Sequence, residues 1–193
     1  MADKNQAAQA GYEVQETTRP FENKPMKVRS DKVRVRGEAE TTFTYQEHPP
    51  SVIIVPVTDD GRIVLIRQFR FVVDDWCLEV PAGKTDDTGD MPMEDVARKE
   101  LKEEVGGTCR DLRHVAHFYS SPAVSTEDCH VFLATGVEMN EPPQREPTET
   151  VETTPMTIAE AYDALRQGRV KTGPSALALF LCETYVRTLP PGT

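Results

Sequence analysis

The residues of this chain best suited to chemistry are Glu100, Glu103 and Glu104, three carboxylates within the run Lys99-Glu100-Leu101-Lys102-Glu103-Glu104-Val105-Gly106-Gly107. On a helix of about 3.6 residues per turn, Glu100 and Glu104 fall one turn apart on one face, with Glu103 beside them. Like charges at that spacing repel unless a cation neutralises them. Ala97, Leu101 and Val105 form the neighbouring apolar stripe, so the helix can dock on a core and turn its acidic edge toward a cleft. Oxygen-only ligands of this kind suit Mg²⁺ or Mn²⁺, which also bind substrate phosphates. A bare Glu-x-x-Glu-Glu is more often a solvated helix face. Pro81-Ala82-Gly83 ahead of the helix and Gly106-Gly107 behind it shift the reading to a metal-dependent enzyme acting on a phosphate compound.

Residues 83–107 resemble the Nudix box, in which a glycine and an early glutamate precede Arg-Glu-apolar-x-Glu-Glu-x-Gly-apolar. Glu100, Leu101, Glu103, Glu104 and Gly106 match its second half. Lys99 stands where the family has arginine, and lysine cannot make the planar two-pronged pairing with a carboxylate. Gly107 stands where an apolar residue is usual, and the early acid is Asp90 or is missing. The span from Gly83 to Lys99 is two residues longer than the pattern, and the surplus falls in 86–92, a turn-rich stretch where insertions are cheap.

Further motifs are similar to the ADP-ribose pyrophosphatase branch of that family. They are Leu78-Glu79-Val80-Pro81-Ala82-Gly83-Lys84 with Asp86, the preceding Arg67-Gln68-Phe69-Arg70, Pro122 fifteen residues beyond Gly107, and the tail from Gly168 to Leu179. Ala123 replaces the glycine usual after Ser-Pro. The resemblance covers roughly residues 51–186.

It implies hydrolysis of the pyrophosphate bond of a nucleoside diphosphate sugar, with ADP-ribose giving AMP and ribose 5-phosphate, supported by Mg²⁺ or alternatively Mn²⁺. Glu100 and Glu104 are then the metal ligands, joined by the backbone carbonyl of Ala82. Glu103 is a lesser ligand or a water holder, and Lys99 orients one carboxylate by a single contact. Arg70 would hold phosphate, while Lys84, Ser121 and Glu127 shape the sugar pocket. A glutamate from the segment 141–155 serves as base or late metal ligand. Glu149 is preferred to Glu146, because Val151-Glu152 resembles the start of the family's next strand. Two other readings stand beside this one: another nucleotide sugar or a dinucleotide (FAD, NADH), and a non-catalytic nucleotide-binding module. The retained acidic cluster counts against the second.

The elements that must position these residues follow from periodicity and turn chemistry. Residues 28–36 and 41–46 alternate as strands about a turn at Gly37, after a polar lead of about ten residues expected to be disordered. His48-Pro49-Pro50 reads as a linker. Residues 52–57 and 62–68 form a hairpin through Asp59-Asp60-Gly61, and 76–80 is a further strand leading into Pro81-Ala82-Gly83. The acidic helix is expected over 93–105, strands over 112–118 and 129–134, a long mobile loop over 141–155, and helices over 158–167 and 175–189. This order gives the fold class α/β (α+β) with a mixed sheet, and the resemblance implies a Nudix-type α/β/α sandwich. The expected division is 1–48, a lead and small β element, and 49–193, the hydrolase domain. Strands 28–46 are too few to bury a face alone, and the resemblance implies a homodimer built on them.

With 193 residues the chain can bury one sizeable core. Its formal net charge of −10 argues against nucleic acid as partner. Cys77, Cys109, Cys129 and Cys182 show neither disulfide nor zinc spacing, and read as free thiols of a reducing compartment. Residues 1–18 resemble neither a signal nor a transit peptide, and no apolar run approaches a membrane span, so a cytoplasmic protein is expected.

Overall fold

The computed structural model describes residues 5–24, 26–85 and 89–189. Its contacts divide the chain into two units, Met1–Pro49 with Ser121–Glu127, and Pro50–Ser120 with Asp128–Thr193.

The smaller unit contains a short helix, α1 (Asn5–Gln9), and three strands, β1 (Tyr12–Asn23), β2 (Met26–Val35) and β3 (Ala39–Glu47), paired antiparallel in that order. The expected disordered lead is therefore corrected: residues 5–9 are helical and 12–23 form a strand, while residues 1–4 lie outside the described residues. β1 is exposed along its whole length, so no apolar alternation announces it, and its ladder to β2 holds it. On the middle strand Asp31 is fully buried and accepts hydrogen bonds from Thr17 Oγ1 (2.7 Å), Arg29 Nε (2.8 Å) and Tyr45 Oη (2.8 Å). Those donors offset the cost of taking the charge out of water. The end of β3 is zipped to the segment 121–127. Gln46 N donates to Val124 O (2.9 Å), and Thr126 N donates to Gln46 O (3.1 Å).

In the larger unit, β4 (Ser51–Val57) is buried along both faces. Ile53, Val55 and Val57 enter one core and Val52 and Ile54 the other, as the two-residue period of a strand requires. β5 (Arg62–Arg70) leads through a 3-10 turn, Phe71–Val73, to β6 (Asp75–Glu79) and β7 (Ala82–Lys84). Then come α2 (Met93–Val105), β8 (Gly107–Tyr119), β9 (Asp128–Met139), β10 (Val151–Thr157), α3 (Ile158–Arg166) and α4 (Gly173–Val186). The sheet runs β10-β5-β4-β9-β8, with β6 added to β5 and β7 to β4. Only the β4–β9 pairing among these is parallel, which makes the sheet mixed.

Helices cover both faces. α3 and α4 bring Ala161, Tyr162, Leu179 and Cys182 against Ile53, Leu65 and Val131, while α2 brings Val96, Ala97, Leu101 and Val105 against Val52, Ile54 and Phe132. This is the expected mixed sheet between helical layers. The loop expected over 141–155 is shorter than its sequence suggested, because β10 begins at Val151 and pairs with β5. All four cysteines are free, three of them buried. Among the described residues, no helix is long and apolar enough to cross a membrane.

Candidate active site

α2 begins after Pro92 and ends at Gly106, whose φ of +67° is the left-handed conformation that terminates helices. The chain turns so tightly there that a Cβ on Gly106 would lie 1.8 Å from Glu141 O. The next position is crowded as well. A Cβ on Gly107 would meet Val105, Leu101 and Val137 at 3.3–3.4 Å, a close fit against side chains of the core.

The apolar stripe of α2 pins the helix to the sheet, and its acidic edge lies on β7. Glu104 Oε2 accepts the Ala82 N–H at 3.2 Å. Glu100 lies so close over Gly83 that a Cβ there would sit 2.0 Å from its Cδ. Pro81 O in turn accepts from Ile54 N (2.9 Å), and Ala82 and Gly83 pair with Ile53 and Val52, so the central strand fixes the backbone beneath both carboxylates. Lys99 Nζ stands 2.8 Å from Glu103 Oε2 and 3.6 Å from Glu100 Oε1. One ammonium thus serves two carboxylates of the cluster, where a single contact was expected.

Burial pushes the Glu104 carboxyl up to about 8. The Ala82 N–H pulls the other way, the charges of Glu100 and Glu149 add to the rise, and Arg70 opposes it. An acid recessed among other acids is short of positive charge, which a divalent cation would supply. Among the described residues, no three acidic, histidine or cysteine side chains are gathered in metal-holding geometry. The donors that the resemblance names, Glu100, Glu104 and the Ala82 carbonyl, would then hold the ion with only two side chains. These are all oxygen donors, and such a set suits an ion that keeps part of its water.

Arg70 is engaged by a residue that the sequence reading did not single out. Its Nε and Nη2 donate to Glu79 Oε1 (2.8 Å) and Oε2 (2.5 Å), a two-pronged pair with the nearly buried Glu79 at the end of β6. Arg67 lies over the Trp76 ring, 4.1 Å from its centroid, and donates to Glu152 Oε2 at 3.0 Å. Lys84 is exposed at the end of β7. Glu149 is exposed in the segment between β9 and β10, close enough for its charge to act on Glu104. The structure therefore brings Glu100, Glu103, Glu104, Ala82, Arg70 and Glu149 to one region of the larger unit. Ser121 and Glu127 belong to the smaller unit, where Glu127 Oε1 stands 3.7 Å from His48 Nδ1. The inserted Asp86, Asp87 and Thr88 lie outside the described residues.

The NUDIX domain matches residues 47–176. An ADP-ribose pyrophosphatase of Bacillus subtilis is 34% identical over 134 residues, 69% of this chain and 71% of that protein. A CMP-5'-(N-acetyl-N-hydroxy-3-aminopropyl)phosphonate hydrolase of Streptomyces rubellomurinus is also 34% identical, over 76% of this chain and 70% of that one. Among solved structures, an ADP compounds hydrolase superposes with a TM-score of 0.80 over 93% of this chain and 96% of that one, at 20% identity, a likeness of fold. The domain match spans the acidic helix and the strands that carry it, and on that ground the chain belongs to the NUDIX family of hydrolases, in its ADP-ribose pyrophosphatase-like branch.

Proposed function

We propose that the protein hydrolyses the pyrophosphate bond of a nucleoside diphosphate sugar, with ADP-ribose, giving AMP and ribose 5-phosphate, as the leading substrate. The observation that carries this is the charge-starved Glu104 beside Glu100 on the Ala82–Gly83 backbone, in a chain of this branch. A bound Mg²⁺, with Mn²⁺ as the alternative, would neutralise the diphosphate and lower the pKa of the attacking water. Glu100, Glu104 and the Ala82 carbonyl would hold that ion, with Glu103 steadied by Lys99 as a lesser ligand or water holder. Arg70 would hold phosphate oxygens, its plane fixed by Glu79. Lys84 would contact the sugar, a role that the resemblance also gives to Ser121 and Glu127. Glu149 is the carboxylate we assign as base, in preference to Glu146, since its charge already acts on Glu104.

A panel of ADP-ribose, GDP-mannose, FAD and NADH with Mg²⁺ or Mn²⁺, read by released nucleoside monophosphate, tests the reading. Fastest turnover of ADP-ribose is expected. A second reading, hydrolysis at another nucleotide-linked group, is favoured by the phosphonate hydrolase among the relatives, and faster release from a different nucleotide would establish it. Binding of ADP-ribose with no turnover of any compound would instead mark a nucleotide-binding module.

We also infer a cytoplasmic homodimer that does not bind nucleic acid. Support for the dimer comes from the three-stranded sheet, whose Tyr12, Val14, Phe21, Met26 and Phe43 are all more than a third exposed. Light scattering at micromolar concentration is expected to give twice the chain mass, and a fully active monomer would rule the dimer out.

A further inference from the structure

The segment between β9 and β10 does more than connect two strands: it caps the acidic helix. The last carbonyls of any helix lack partners within it. Here Glu103 O accepts from Gln144 N (2.7 Å), Glu104 O accepts from Arg145 Nε (3.0 Å), and Gly106 O accepts from Asn140 N (3.1 Å) and Glu141 N (3.2 Å). The Arg145 guanidinium continues past the helix. Nη1 donates to Val151 O (2.6 Å) and Nη2 to Thr153 Oγ1 (2.5 Å), so all three nitrogens of the fork are used. One side chain therefore ties the end of α2 to the start of β10 and closes residues 146–150 into a small loop. Inside that loop Glu149 N donates to Glu146 O (3.0 Å) across a turn with Pro147 at its second position, where a fixed φ is favourable. Thr150 O accepts from Phe69 N (3.0 Å), which pins the far end to β5.

We propose that Arg145 is a positioning residue for the reaction: it holds the loop 146–150 against the last turn of α2 so that the Glu149 carboxylate stands ready beside Glu100 and Glu104. This rests on the assignment of Glu149 as base. Val151 is the one aliphatic residue of the segment 141–155, and the loop is held by polar bonds, three of them from the Arg145 guanidinium beside the backbone pairs to Phe69 and Glu146. Those bonds are all made within the chain itself, so they can contribute to ordering the loop independently of contacts to substrate. Glu146 stands at the opposite end of the turn, and Glu149 is the one of the two whose charge bears on Glu104. A lysine at position 145 would keep the charge beside the helix C-terminus, where a cation is favourable. It could not reach three acceptors disposed in a plane.

The test uses the full chain with ADP-ribose and saturating Mg²⁺, and compares Arg145→Lys, Arg145→Ala, Glu149→Gln, Glu146→Gln and the double variant Arg145→Ala/Glu149→Gln. The expected result is a fall in kcat of about tenfold or more in both arginine variants with KM changed less than about twofold, the pattern of an interaction that belongs to the transition state. In the Glu149→Gln background, Arg145→Ala is expected to lower kcat no further, because the two act as one unit. Glu146→Gln is expected to keep full activity. Should Arg145→Ala fail to fold, Arg145→Lys in both backgrounds carries the comparison. Three results would overturn the proposal. Wild-type kcat in Arg145→Lys and Arg145→Ala, with Glu149→Gln impaired, removes the positioning role and leaves Glu149 as base. Losses that multiply in the double variant show that Arg145 acts elsewhere. Full activity in Glu149→Gln, or a loss in Glu146→Gln alone, overturns the assignment of Glu149 itself, and the proposal falls with it.

Discussion

Glutamine at position 104 is expected to cut hydrolysis by about 10²-fold or more, the scale of losing a catalytic metal ligand, while the protein folds as before. The amide has the size of the carboxyl, and its oxygen can still accept the Ala82 N–H. What it cannot do is carry charge. The same substitution has a signature in stability that does not depend on turnover. In the metal-free protein the Glu104 carboxyl is raised from 4.5 to about 8, so the folded chain binds its proton more tightly than the unfolded chain does. The contribution to stability is fully present below the unfolded value and is lost as pH rises toward 8. Metal-free wild type should therefore lose more melting temperature between pH 5 and pH 8 than Glu104→Gln. Added Mg²⁺ should restore the wild type at pH 8 and leave the variant nearly unchanged. Parallel pH dependences in the two proteins, or equal activity in saturating Mg²⁺, would remove Glu104 from the ligand set.

The second large effect is expected from a single methyl group. In Gly83→Ala the added Cβ would lie 2.0 Å from Glu100 Cδ, 2.4 Å from Oε2 and 2.5 Å from Cγ. Gly83 does not have the positive φ that would strain an alanine, so the backbone is not the obstacle. The obstacle is the end of a flexible side chain, which can swing aside at modest cost. Stability should consequently change by no more than about 1 kcal/mol, whereas activity should fall about tenfold or more because a displaced carboxylate no longer meets the ion. Measured together, a melting temperature within a few degrees of wild type and a collapse of kcat would tie the box glycine to the placement of Glu100. An active Gly83→Ala would show that Glu100 works from another rotamer or not at all.

How much of this was legible beforehand varied by element, for physical reasons. The bounds of α2 could be read directly, because an apolar stripe at helical spacing ran into Gly106 and ended there. β4 and the turn to β5 were equally plain, since apolar runs flanked Asp59-Asp60-Gly61. β1 was hidden because both its faces meet solvent and its residues carry no buried pattern. Glu100 and Glu104 were readable as neighbours on one helix. Their partner Gly83 was readable only as part of a motif; the reason for a glycine there is a contact with a residue 17 positions away. Glu79 was readable only as a letter of a motif, with no role, and Arg145 gave no local signal at all. Each is defined by what it reaches across the fold, Arg70 in one case and the end of α2 together with β10 in the other. An arginine amid prolines and glutamates looks like any solvated charge until its acceptors are in place.

The short excursion of residues 121–127 into the smaller unit also sets an order of events in synthesis. β1, β2 and β3 leave the ribosome first and can pair by local contacts. The outer edge of β3 cannot be completed then, because Gln46 and His48 bond to Val124 and Thr126, partners about 80 positions downstream. A chain elongating at about 5–20 residues per second therefore carries a strand with an open edge for several seconds, the interval in which such an edge is most apt to pair with another molecule. Loop closure over that separation adds an entropic delay of its own. The amino-terminal sheet is begun first and finished late, and its folding waits on β4 to β8 of the larger unit.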